Sequence, residues 1–125
     1  MGGAADLLQI SFETLTASRV EAAMPVTADH HQPFGQLHGG VSVVLAESAA
    51  SVGGYLAAPT GKTAVGIEIN ANHVRAVADG TVHAVAEPLH VGSSTHVWDV
   101  KIRDDENRLV CVARCTLAIM PLSNT

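Results

Sequence analysis

Residues 40–55, Gly-Val-Ser-Val-Val-Leu-Ala-Glu-Ser-Ala-Ala-Ser-Val-Gly-Gly-Tyr, are apolar or small at nearly every position. The run reads as one helix, closed off by Gly53-Gly54 and by Pro59-Thr60-Gly61. With no polar face, such a helix is expected to be buried rather than amphipathic, so the rest of the chain must supply something able to wrap it. One carboxylate, Glu47, sits in its middle. Desolvating an unpaired charge is costly, so Glu47 is either paired by the fold or used by it, and the pattern alone leaves both open. Ser51 lies one turn further on the same face. Its hydroxyl could orient the carboxylate or share a water with it; it could equally be a small packing residue.

The wrapping material reads as strands. Residues 7–14 and 18–26 form two, the second alternating Val20, Ala22 and Met24 toward one buried face, with a short turn between them. Four more follow the helix, at 62–75, 80–88, 94–104 and 107–119, separated by Asp79-Gly80, by Pro88 to Ser93 and by Asp104 to Asn107. The last two are expected to form a hairpin across Asp104–Asn107. One helix between a strand pair and four further strands predicts an α+β domain, an antiparallel sheet around a single long helix. At 125 residues the whole chain, 1–125, makes one domain with one core.

Composition narrows the function. The chain is 47% hydrophobic and only 15% charged, which excludes disorder and suggests surface given up to a subunit interface. A formal net charge of -5 lacks the basic footprint of a nucleic-acid binder. No run reaches about 18 uninterrupted apolar residues, so no membrane span is expected. The N-terminus shows no basic segment followed by an apolar run, so the expected location is cytoplasmic. Cys111 and Cys115, if on one strand, stand roughly 13 Å apart on one face at ~3.3 Å per residue. That is too far for a disulfide.

Before the helix, residues 27–39 form a loop ending in His38-Gly39-Gly40. Glycines at a helix start leave backbone N–H groups unshielded, and those groups stabilise negative charge. They can hold a phosphate or an oxyanion, or the glycines can simply permit the turn. Gly39 and Glu47 are eight residues apart along nearly one helix, roughly 12 Å at 1.5 Å per residue. One reacting carbonyl cannot touch both within a subunit. If both act on it, they come from different subunits of a two-fold dimer with antiparallel helices and two equal sites. The seven histidines show no metal-ligand spacing. No serine-hydrolase elbow and no nucleotide fingerprint is present, so no metal and no cofactor is expected.

The segments Gln32-Pro-Phe-Gly35, Leu37-His-Gly-Gly40 and Leu45-Ala-Glu-Ser48 with Ser51 resemble the hotdog-fold acyl-CoA thioesterases. The similarity is to the subgroup that joins the phenylacetate-degradation and Arthrobacter-type 4-hydroxybenzoyl-CoA enzymes. Through Gly66-Ile-Glu-Ile-Asn-Ala-Asn-His-Val-Arg75 and Pro88-Leu-His-Val-Gly-Ser93 the chain looks most like the 1,4-dihydroxy-2-naphthoyl-CoA thioesterases of menaquinone synthesis. It also resembles their siblings that clear mischarged aryl carrier proteins. The resemblance implies a six-stranded hotdog fold and hydrolysis of an acyl-CoA, aromatic in its acyl part. It implies a homodimer with shared sites, paired into a homotetramer. It makes Glu47 the catalytic nucleophile or general base and the Gly39 N–H the donor that polarises the carbonyl. Gln32 stands at the reacting centre, His38 beside the leaving thiolate, and Ser51 where a serine positions water or the intermediate. Arg75, His90, Gly92 and Ser93 fall in regions that line the nucleotide and pantetheine path. The alternatives are a non-catalytic acyl-CoA or carrier-protein binding module and a proofreading thioesterase.

Two departures from the subgroup stand out. Ser94 and Thr95 follow where a basic residue is frequent, and a helix before the first strand is not evident. The resemblance also implies strand order 1-2-4-6-5-3, with strand 3 pairing across the dimer and residues 71–79 crossing between sheet positions. On the residues alone, Asp79-Gly80 reads instead as a hairpin.

Overall fold

The computed structural model describes residues 2–122; Met1 and residues 123–125 of the expected single domain lie outside the described residues. Helix α1 (Gly3–Leu7) leads into strands β1 (Ser11–Leu15) and β2 (Val20–Pro25). A 3-10 turn (Ala28–His30) and a loop then reach helix α2 (Gly39–Ala57). Strands β3 (Lys62–His73), β4 (Thr81–Val91), β5 (Thr95–Arg103) and β6 (Leu109–Pro121) follow. All six strands form one antiparallel sheet, and α2 packs across it.

The sheet order is β1-β2-β4-β5-β6-β3, which corrects the implied 1-2-4-6-5-3. The reason is turn length. Only residues 92–94 separate β4 from β5, so β5 must return beside β4. The expected β5–β6 hairpin is present, held by the Asp104 carboxylate. That group accepts from the Glu106 N–H at 3.0 Å and from the Arg108 N–H at 2.9 Å, and Asn107 turns the chain at φ 62°. The two hairpins fix 4-5-6, and β6 offers its remaining edge to β3. Strands β3 and β4 are not neighbours, so the hairpin reading of Asp79-Gly80 fails. Residues 74–80 cross the sheet instead, three residues later than expected because β3 runs on to His73.

The N-terminus is a second correction. A helix does precede the first strand, and Leu7 and Leu8 belong to its end rather than to a strand beginning at residue 7. The Gly2 N–H donates to Asp6 Oδ2 at 2.8 Å, the Leu8 N–H closes on Ala4 O, and Gln9 at φ 61° ends the turn. Five residues are too few for helical periodicity to show in a sequence.

Helix α2 begins one residue before and ends two after its expected 40–55. By length and composition it could cross a membrane; here the sheet covers one stripe of it. Ser42, Leu45, Ala46, Ala49, Ala50, Gly53 and Gly54 are buried, at the 3–4 residue spacing of one face. Val43, Val44, Glu47, Ser48 and Ser51 are only half-buried, so the expectation of burial on all sides does not hold within one chain. The stripe is made of small residues, and the helix therefore sits low on the sheet. A Cβ on Gly53 would lie 2.5 Å from the Trp98 ring, and one on Gly54 would strike Leu117 Cδ1.

Beneath this contact His96 is fully buried. Its Nδ1 accepts from Trp98 Nε1 at 3.4 Å, and its Nε2 has no partner within the described residues. Burial, with His90 nearby, depresses its pKa.

Two outcomes follow from this packing. Gly53→Ala gains about 1 kcal/mol of helix propensity, but overpacking against a fixed indole costs about 1–3 kcal/mol. A lower urea midpoint is expected, and an unchanged or higher one would mean that the ring moves freely. For His96, the folded state binds a proton less readily than the unfolded chain. Stability is therefore whole above the unfolded histidine value of ~6.5 and falls as the pH drops below it. Urea melts at pH 7.5 and 5.5 should show that loss, and His96→Gln should shrink it.

Candidate active site

The loop from residue 31 to 38 and the first turn of α2 form one half of the site. His38 is the N-cap: its Nδ1 accepts from the Gly40 N–H at 2.9 Å, and its carbonyl accepts from the N–H groups of Val41 and Ser42. Of the N–H groups that open the helix, only that of Gly39 is left without an acceptor among the described residues. Because Nδ1 accepts, the His38 ring proton sits on Nε2, on an exposed side chain. Gln32 lies in the same loop, its Oε1 accepting from the Phe34 N–H. Gln32, Gly39, Ser42, His73 and Arg75 line a cleft of about 440 Å³. Arg75 comes from the crossing segment, exposed and outside every ion pair among the described residues.

His73 also lines the cleft and is not among the residues expected at the site. It ends β3 opposite Cys111, and its ring lies over Gly39, with Nε2 2.9 Å from where a Cβ would stand. Any side chain at position 39 would push the ring away. The signal available was its place in the Gly66–Arg75 run.

Glu47 stands two turns further along α2 and does not line this cleft. Its carboxylate reaches over Gly66 of β3, filling the space that a Cβ there would need. No hydrogen bond or ion pair reaches it among the described residues, so the question left open by the sequence is answered against internal pairing. Ser51 is half-buried one turn on, and no hydrogen bond joins the two. Burial, with Glu47 and Glu68 nearby, pushes the Cys115 thiol up to about 12. A thiol held protonated in this way is no nucleophile.

His90, Gly92 and Ser93 form a third place, the β4–β5 turn. The Gly92 N–H donates to Thr95 O at 2.9 Å, and a Cβ on Gly92 would stand 2.6 Å from His90 Nε2. The adjoining Ser94 carbonyl accepts from the Ile119 N–H, whereas the Gly39 cleft touches Val110 on the same strand. Nine strand residues separate those contacts, roughly 30 Å at ~3.3 Å each. Within one chain, then, Gln32, His38, Gly39 and Arg75 are gathered; Glu47 and Ser51 lie apart from them, and His90, Gly92 and Ser93 are at the other end of the sheet. Among the described residues no three His, Cys, Asp or Glu side chains are placed to hold a metal ion.

A family model described as thioesterase superfamily matches residues 34–111. This chain belongs to the thioesterase superfamily. It is 50% identical over 119 residues to the 1,4-dihydroxy-2-naphthoyl-CoA hydrolase of Escherichia coli, covering 95% of this chain and 88% of that protein. It is 42% identical over 120 residues to the proofreading thioesterase EntH of Cronobacter turicensis, covering 96% and 88%. A crystallised thioesterase from Haemophilus influenzae superposes with a TM-score of 0.93 at 45% identity, covering 98% of this chain and 87% of that one. The fold is the hotdog fold of thioesterases, and the chain is a thioester hydrolase.

The contact between Glu47 and Gly66 gives this thioesterase a direct test. Gly66 lies outside the positive-φ region, and the atom in the way is the end of a flexible side chain. Gly66→Ala should therefore fold with an unchanged urea midpoint but displace the carboxylate. A shift of about 1 Å can cost on the order of 10²-fold in rate. Wild-type kcat in Gly66→Ala would show that the position of the carboxylate over β3 does not matter.

Proposed function

We propose that this thioesterase hydrolyses the CoA thioester of an aromatic acid, 1,4-dihydroxy-2-naphthoyl-CoA or a related aroyl-CoA, with Glu47 as nucleophile or general base. The observation that carries the reading is the pairing of two unsatisfied groups. One is a backbone N–H at Gly39, at the positive end of α2; the other is a half-buried carboxylate at Glu47; neither has a partner among the described residues. A thioester carbonyl needs little more. The Gly39 N–H donates to the carbonyl oxygen and stabilises the negative charge that develops there. The Glu47 carboxylate then has two routes. It attacks the carbonyl carbon, expelling the CoA thiolate and leaving a mixed anhydride that water cleaves. Otherwise it takes a proton from a water, which attacks in its place. Either route ends in free acid and CoA. His38, with its proton on the outward Nε2, is suited to hydrogen-bond the departing sulfur. Gln32, Ser51 and Arg75, and the turn of His90, Gly92 and Ser93, take the positioning and CoA-binding roles the family implies.

The relatives support the choice of acyl group. A naphthoyl-CoA hydrolase at 50% identity supports a CoA substrate, and a proofreading enzyme at 42% keeps an aryl carrier-protein thioester as the alternative. A non-catalytic binding module would keep the Gly39 site but has no use for an unpaired Glu47. The proposed location is cytoplasmic, as expected from an N-terminus without a basic segment and apolar run.

Gly39 and Glu47 serve one carbonyl only if the site is shared between two copies, in a dimer that pairs into a tetramer. Gly39→Pro removes the N–H. Proline is tolerated at the first helical position, and His38 already has the extended backbone that a following proline requires, at φ -67° and ψ 128°. Gly39→Pro and Glu47→Ala should each fold and each be nearly inactive against naphthoyl- and benzoyl-CoA in a thiol-release assay. Mixed and reassociated, about half of the dimers are heterodimers with one intact site of two, so up to roughly a quarter of wild-type activity should return. Exchanged mixtures that stay inactive would place the site within one subunit. Wild-type turnover by folded Glu47→Ala would remove Glu47 from the chemistry.

A further inference from the structure

We infer that His30 is a positioning residue for the Gly39 donor, bracing the active-site loop against the N-terminal segment. The inference rests on the thioesterase mechanism above. The Gly39 N–H belongs to the peptide whose carbonyl is that of His38, and a planar trans peptide points its N–H opposite its C=O. That carbonyl is locked into α2 by Val41 and Ser42. The peptide on the other side of His38 is held by one bond, from the His38 N–H to the His30 carbonyl at 2.9 Å. The aim of the donor therefore depends on where His30 is held.

His30 is held by its imidazole. The side chain is 1% exposed, and both ring nitrogens are engaged. Nε2 lies 2.7 Å from the carbonyl of Leu8, just past the end of α1. A carbonyl only accepts, so the ring proton is on Nε2. Nδ1 then accepts from the Thr27 N–H at 3.2 Å and the Thr27 hydroxyl at 2.9 Å. One tautomer satisfies every partner, in contrast to His96, whose Nε2 has none. The ring thus ties the end of α1 to the turn that begins at Thr27, two residues past β2, and through it to the loop carrying Gln32 and His38. The far side of the loop is fixed independently. The His31 Nε2–H donates to Ala78 O at 2.7 Å, and the Leu37 N–H donates to Val77 O at 2.7 Å. Losing the His30 ring should leave the loop attached to the crossing segment but free to tilt at its helix end, where Gly39 begins.

The charge on the carbonyl oxygen develops fully only in the transition state, so a misaimed donor should lower kcat more than it raises KM. His30→Ala should reduce kcat by about 10-fold or more, with KM changed less than about 2-fold. Two partial replacements separate the halves of the brace. His30→Gln retains a donor that can reach Leu8 O, and His30→Asn an acceptor that can reach Thr27; each should recover part of kcat. Amide hydrogen exchange should rise in residues 31–40 of His30→Ala while β5 and β6 stay protected. Wild-type kcat in folded His30→Ala, or a lower Tm with loop exchange unchanged, would overturn the inference. If the alanine variant does not fold, the wild-type imidazole nitrogen shifts still decide, because a ring protonated on Nδ1 cannot make these bonds. A wild-type protein inactive on every thioester would sink the function proposed above, while loop exchange would still report whether His30 holds the loop.

Discussion

The low seat of α2 on the sheet governs the rest of this structure. Helix and sheet can approach only where side chains are small, and Ala46, Ala49, Ala50, Gly53 and Gly54 supply that surface on the helix. Trp98 and Leu117 rise from the sheet into the space the two glycines leave. At two further places the same closeness makes room for a polar side chain. Gly66 of β3 leaves room for the Glu47 carboxylate, and Gly39 leaves room for His73. A bulkier stripe would lift the helix and separate both pairs. The helix is thus a ruler laid on the sheet, and it sets where the donor and the carboxylate stand.

That ruler also explains the division of labour. In the proposed mechanism the polarising group is a peptide N–H, placed by the first turn of α2 and by the loop that leads into it. The carboxylate is on a flexible side chain that ends over a glycine. Nothing among the described residues satisfies either group, although the neighbouring N–H groups are satisfied. An unsatisfied donor and an unpaired acid are tolerated because both are open enough to be solvated, and both are available to a substrate. The Cys115 thiol near Glu47 is held in its protonated form by burial, and the proposed mechanism draws on the carboxylate instead.

Much of this was legible in the sequence. The long helix announced itself by composition, the strands by alternation and breakers, and the split between Gly39 and Glu47 by arithmetic on the helical rise. Three things were not legible, for different physical reasons. The order of β5 and β6 is fixed by a three-residue turn whose brevity is hidden because both flanking segments continue as strand. Helix α1 is too short to show a period. His73 and His30 make their contacts with distant segments, Gly39 in one case and Leu8 in the other, and nothing in the residues beside them marks that. The sequence did not reveal whether Glu47 was paired either, since a partner could have come from any strand.

The edge strand brings these threads together. β3 closes the sheet on one side with twelve residues, hydrogen-bonded only to β6 among the described residues. Val65 and Ile67 are exposed there, at 42% and 59%. A long apolar edge is a template for pairing, and proteins that leave one open ordinarily guard it with charge, proline or a cover. Here the edge carries Lys62, Glu68, Asn70 and Asn72, and a bulge between Gly66 and Glu68 falls where Glu47 reaches over. On the proposed shared-site arrangement, the strand that would pair two copies is also the strand that positions the carboxylate. Association and catalysis then draw on the same residues. A substrate contacting Gly39 of one copy and Glu47 of the other binds the dimer and not the monomer, so by linkage it strengthens the dimer it needs.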